Sequence, residues 1–275
     1  FIAPHPPLQP PAFYMERYLR TGVPAPAIGD WANPPKFGER GDIVSPNRVA
    51  LTGEALLSTR AAYYGLINHV DDQLRRLINP VLGVDRMTGR NTIIVFTSDH
   101  GEMLGDHYGW RKSLAYEAAA RVPFILCAPD RFGIRRNAVV DLVATHADIM
   151  PTLLEMAGVP IPDSVDGRSL LPLMRGETVP WREFLHIEHA PNQHALTDGK
   201  TKFIWNVRDG VEQLFDLAAD PNECHDLSQD STWSDRLFLW RARLIERLKD
   251  RPEGFVENGR LVAGRAYGTM IPRGT

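Results

Sequence analysis

The sequence predicts an α/β protein with a mainly parallel central sheet flanked by helices, followed by a small antiparallel sheet and a closing helix. Three patterns carry this. Short β-branched apolar runs alternate with helical periodicity through the first part of the chain. After Pro180 the pattern becomes short apolar runs separated by Asp198-Gly199 and Asp209-Gly210, which is hairpin chemistry. Near the end, Leu237, Trp240, Leu244 and Leu248 recur at steps of three and four, one face of a helix. Residues 1–180 are therefore assigned to the α/β portion and 181–275 to a smaller α+β unit.

The elements follow in order. The first 36 residues carry the pairs Pro6-Pro7, Pro10-Pro11 and Pro34-Pro35, and read as a strand end followed by an irregular surface loop. A helix is expected over 54–82: Tyr63, Ile67, Val70, Leu74, Leu77 and Val81 form its apolar stripe, and Asp71/Arg75 and Asp72/Arg76 its polar side. The runs 91–97 and 122–128 read as buried parallel strands, with 138–143 a weaker strand. A helix over 147–157 ends at Gly158 and Pro160. Strands are then expected at 184–187, 202–205 and 213–216, and a closing helix over 233–248.

With 275 residues, 43% of them hydrophobic and 24% charged, the composition is that of an ordinary globular chain. A net charge of −3 with scattered charges predicts no nucleic-acid groove. No apolar run approaches the ~20 residues of a membrane span. Cys127 and Cys224 make no disulfide framework. The chain opens on Phe1 rather than Met, so a processed, truncated or partly represented protein is expected, and its compartment is left open.

The chemistry concentrates in Thr97-Ser98-Asp99-His100-Gly101-Glu102, followed by Asp106, His107 and Lys112. Ligands of open α/β sheets gather at the carboxyl ends of strands, where this loop begins. Asp99 and His100 offer a carboxylate oxygen and an imidazole nitrogen to a divalent cation. Neighbouring side chains on a regular strand diverge, so both reach one ion only if the backbone turns at Asp99, a freedom Gly101 supplies. Lys112 adds a cation suited to a sulfate or phosphate oxygen. A plain turn with a helix cap fits the same spacing.

The string from Thr97 to Leu126, "TSDHGEMLGDHYGWRKSLAYEAAARVPFIL", closely resembles a conserved block of the sulfatase family, within the alkaline-phosphatase-like superfamily. Three further segments resemble that family in order: "APHPPLQPPAFYMERY", "YYGLINHVDDQLRRLI" and "QLFDLAADPNECHDLS". The resemblance implies that Asp99 and His100 bind the metal, most commonly calcium, with manganese or magnesium as alternatives. It implies that Lys112 holds the sulfate, and that His5 meets the sulfate and the leaving oxygen. It also implies a formylglycine nucleophile and a further acidic ligand pair in an N-terminal half upstream of His5, so this chain corresponds to the C-terminal part.

Two local matches to the nucleophile motif are rejected. Cys127-Ala128-Pro129-Asp130-Arg131 ends a strand after the metal motif, and Ser45 to Gly53 would put Val44, which has no reactive group, at the nucleophile position. His107 is a candidate substrate contact or a structural hydrogen-bonding group. Glu188, His189, Asn192 and His194 form either a specificity cluster or a polar surface turn. Glu102 and Asp106 read as solvated loop charges. The implied substrate is a small sulfate ester or sulfated glycan. A phosphonate monoester or phosphodiester hydrolase, and a non-catalytic sulfatase-like fragment, are the competing functions.

Overall fold

The computed structural model describes residues 1–35, 49–78, 92–112, 114–189 and 193–265. Its first element is a helix where the prolines had predicted an irregular loop. α1 (Ala12–Thr21) begins directly after Pro11 and stops at Gly22. Proline is tolerated at a helix entrance because the first turn's N–H groups have no partner there, and the proline run ends at that boundary. α1 packs along α2 (Gly53–Ile78), with Tyr14 Oη donating to Asp72 at 2.7 Å and Tyr18 Oη to Asn68. Gly65 allows the approach, since a Cβ there would stand 3.2 Å from the Pro10 ring. α2 is the helix expected over 54–82; Val81, Leu82 and the whole of 36–48, with Val44, lie outside the described residues.

β1 (Ile94–Thr97) and β2 (Phe124–Cys127) pair antiparallel, Ile94 opposite Cys127 and Thr97 opposite Phe124. This corrects the expectation of parallel pairing for these runs: among the described residues every strand pairing is antiparallel. β-branched density reports burial, not strand direction. Here burial is one-sided. Leu126 packs on the cluster of Phe132, Met156 and Leu171, while Phe96 and Ile125, opposite each other, stay exposed. The strand expected at 138–143 does not form, and Val139 is 80% exposed; apolar residues make a strand only where a neighbouring edge accepts the backbone hydrogen bonds.

α3 (Glu117–Ala120) follows the metal-motif loop. α4 (Ile149–Ala157) continues a 3-10 turn at His146–Asp148 and ends on left-handed Gly158. A capping box of Thr145 and Asp148 fixes its entrance. α5 (Leu171–Arg175) packs beside α4.

The second sheet has the order β3 (Leu185–His189), β4 (Gln193–Thr197), β5 (Thr201–Asn206), β6 (Glu212–Asp216). Both Asp-Gly turns lie at hairpin reversals as expected. One face packs Leu196, Phe203, Trp205 and Leu214 against Trp240, Leu244 and Leu248 of α6 (Ser234–Leu248). The other joins Ala195, Ile204 and Phe215 to Met103, Ala115, Tyr116 and Ala119 near the metal-motif loop. A short hairpin, β7 (Val256–Glu257) with β8 (Arg260–Leu261), lays Val256 and Leu261 on the α6 cluster.

A buried charge network fastens that second interface. Lys202 Nζ, fully buried, lies 2.7 Å from Glu117 Oε1 and 2.8 Å from Glu223 Oε1, and donates to the Ala115 carbonyl at 2.9 Å. Glu223 in turn accepts from the Glu117 backbone N–H at 2.7 Å.

Candidate metal and anion site

The motif loop leaves β1 at Thr97 and is held by backbone contacts rather than by regular structure. Gly101 N–H donates to Ala119 O at 2.8 Å and Glu102 N–H to Ala118 O at 2.9 Å. Gly101 is required here by close approach, not by a left-handed backbone, because a Cβ would meet the Ala118 carbonyl oxygen at 2.1 Å. The two acidic residues expected to be solvated instead close the loop. Glu102 Oε1 accepts from the backbone N–H groups of Leu104 and Arg111. Asp106 Oδ1 accepts from Ala27 N–H at 3.0 Å and lies 3.7 Å from the buried Arg60 guanidinium.

Asp99 and His100 do turn toward each other. His100 Nδ1 lies 2.8 Å from the Gly101 carbonyl. A carbonyl only accepts, so Nδ1 carries the proton in that bond and Nε2 keeps its lone pair. That Nε2 stands 3.4 Å from Asp99 Oδ2. Two lone-pair donors thus face one another, an arrangement that a cation between them relieves. Burial alone raises the Asp99 carboxyl, but the positive charge of a protonated His100 ring, the His100 backbone N–H and the charge of Lys112 hold it below its ordinary value. Lys112 is half-buried in the same loop.

His5 joins them. Its ring centroid is 6.5 Å from that of His100. His5 Nδ1 contacts the Pro6 carbonyl at 2.8 Å, which by the same argument leaves Nε2 free to act. His146 also reaches this loop: its Nε2 lies 2.7 Å from the Ser98 carbonyl. Behind it, fully buried Asp148 accepts from Arg182 at 2.5 and 2.7 Å and from Arg168 N–H at 2.8 Å.

The remaining candidates have other surroundings. His107 is buried; its Nδ1 accepts from Gly29 N–H at 3.0 Å and the ring packs 4.6 Å from Trp31. Burial lowers its pKa to about 4 against the opposing hydrogen bond to the Asn222 backbone. It serves as a buried brace. His189 and His194, grouped by sequence, lie on opposite faces of the second sheet: His189 pairs with Gln193, and His194, one position on, pairs with Glu188. His189 is half-buried on the face toward the motif loop, whereas His194 is fully buried on the α6 side against Trp205 and Phe255. Asn192 lies outside the described residues. Cys127 is exposed on β2.

With this geometry in place, the comparisons identify the class. The sulfatase family model matches residues 1–159, and that of the N-sulphoglucosamine sulphohydrolase C-terminal region matches residues 105–250. The chain belongs to the sulfatase family, in the alkaline-phosphatase-like superfamily. It is 38% identical over 274 residues to an arylsulfatase of Clostridium perfringens, covering 98% of this chain and 56% of that protein. It is 33% identical over 187 residues to arylsulfatase K of Homo sapiens, covering 62% and 34%. Among solved structures, a phosphonate monoester hydrolase from Silicibacter pomeroyi superposes with a TM-score of 0.70 at 28% identity, over 96% of this chain and 59% of that one. A structure in complex with its substrate D-glucosamine-2-N,6-O-disulfate superposes with a TM-score of 0.62 at 26% identity, over 72% and 43%. The chain spans about half the length of the first of these relatives. No helix among the described residues is long and apolar enough to cross a membrane.

Proposed function

We propose that this chain supplies part of the metal and sulfate site of a sulfuric ester hydrolase. The nucleophile, expected to be formylglycine, and the remaining metal ligands belong to an N-terminal half of the same protein. The observation that supports this reading is the meeting of His100 Nε2 with Asp99 Oδ2 at 3.4 Å, with the His5 ring centroid 6.5 Å from that of His100. Asp99 and His100 would hold a divalent cation, calcium by preference over manganese or magnesium, because most donors would be oxygens. When bound, the cation supplies Lewis-acid and template chemistry. Lys112 stabilises charge on the sulfate oxygens. His5, once Nε2 is protonated as well as Nδ1, would donate from Nε2 to the departing oxygen, stabilising it and delivering that proton. Residues 1–180 are read as part of the α/β core, with its mainly parallel sheet completed by strands outside this chain, and 181–275 as its small C-terminal subdomain.

The substrate class is a small sulfate ester or a sulfated glycan, supported by the neighbour bound to a disulfated glucosamine. A phosphonate monoester hydrolase is the second reading, favoured by the neighbour that superposes over 96% of the chain. Both esters present tetrahedral oxyanions that the same cation and lysine would bind. The test is turnover of aryl sulfate against aryl phosphonate by the protein with its upstream half, and by D99N, K112A and H5A variants. Losses of roughly 100-fold or more in kcat are expected for each variant, with the aryl sulfate preferred. Unchanged turnover in D99N and K112A would overturn the assignment. The 275-residue polypeptide alone is expected to turn over no aryl sulfate and to bind calcium weakly.

A further inference from the structure

A second constellation of metal-ligand side chains lies on the α6 side of the β3–β6 sheet. His186 and Glu188 are two apart on β3 and share a face, and His194 on β4 stands directly opposite Glu188. One donor atom from each lies within 4.8 Å of the other two. His186 Nε2 and His194 Nδ1 are 2.9 Å apart, a few tenths of an ångström short of the ~3.3–3.4 Å between tetrahedral ligands on an ion bound at ~2.0–2.1 Å. Without an ion one imidazole donates to the other. Both nitrogens become ligands once that proton moves, by tautomer exchange through water, to the other nitrogen of its own ring.

The surroundings suit a cation. Arg251 is held by two carboxylates, Glu188 at 2.9 and 3.0 Å and Glu253 at 2.7 and 3.0 Å. Arg247 also acts on His186, so two guanidinium groups balance the two carboxylates around the imidazoles, and an added cation would draw on the Glu188 oxygens themselves. Each Glu188 oxygen also keeps a lone pair beyond its bond to Arg251, so the guanidinium can orient a ligand in the way outer partners usually do. His194 is fully buried against Trp205 and Phe255, with ring centroids 6.0 and 5.1 Å away, which makes the inner wall rigid and apolar. Glu188 is exposed, so the outer side opens to water.

We propose that His186, His194 and Glu188 form a binding site for a divalent transition ion of the zinc type, distinct from the Asp99–His100 pair. Two imidazoles with one carboxylate select zinc, cobalt or nickel over calcium, and an open fourth position is left for water. The ion would link β3 to β4 beneath the closing helix. The inference does not depend on the sulfatase reading, because it uses none of that site's residues.

The test is calorimetric titration of the full chain with zinc in excess calcium, with cobalt absorption reporting tetrahedral geometry. One equivalent is expected to bind, to raise Tm by mass action, and to survive the D99N/H100N double substitution. H186N and E188Q should each weaken zinc by at least ~10-fold. H194Q should do the same, but it alters a buried ring, so the half-buried His186 carries the result if that variant fails to fold. Absence of saturable zinc uptake by the wild-type chain, or H186N binding zinc as tightly as wild type, would overturn the proposal.

Discussion

His100 presents Nε2 to Asp99 Oδ2 at 3.4 Å while its Nδ1 is committed to the Gly101 carbonyl. The tautomer is therefore set by backbone, and backbone placement depends on Gly101. A methyl group there would overlap the Ala118 carbonyl. The G101A variant should be destabilised by about 1–3 kcal/mol, measured by urea unfolding. It should also lose cation affinity at Asp99 and His100 in the protein with its upstream half.

Lys202 is the charge whose removal should cost most in the second sheet. Its single charge is shared between Glu117 and the almost fully buried Glu223, whose carboxyl is raised by burial despite the lysine. K202M leaves Glu223 buried without a counter-ion, and a loss of about 3–5 kcal/mol is expected. Adding E223Q should recover part of it. Equal stability of K202M and wild type in denaturant titration would contradict this account.

Asp148 joins the helix entrance to the motif loop through His146. D148A removes the capping acceptor and strands the Arg182 guanidinium. A destabilisation of about 3–5 kcal/mol is expected, together with faster amide hydrogen exchange across residues 145–152.

The pH dependence of stability should show His107. Its folded pKa of about 4 lies below the ~6.5 of an unfolded histidine. Between those values the unfolded chain binds more protons, so stability rises with pH. This contribution is fully present above the unfolded value and lost as pH falls toward 4. H107Q should flatten the acid limb of a Tm-against-pH profile.

Cys127 fits a nucleophile motif by letter but is exposed on β2. C127S should change stability by less than about 0.5 kcal/mol and leave aryl sulfate turnover by the longer protein intact.

What the sequence determined by itself was whatever depends on neighbours along the chain. Helical periodicity located α2 and α6, Asp-Gly pairs located two hairpin reversals, and Gly158 marked the end of α4. Asp99, His100 and Lys112 stand out by residue type, but their spacing fits a plain turn equally well, and it is the resemblance to the sulfatase family that implies their roles. Only the tertiary structure decided what depends on partners distant in sequence. It made β1 and β2 antiparallel, coiled 12–21 into a helix against α2, and turned Glu102 and Asp106 inward. It separated His189 from His194 across a sheet. Strand direction, facing and burial are fixed by which surface arrives opposite a segment, and no local pattern of side chains encodes that arrival.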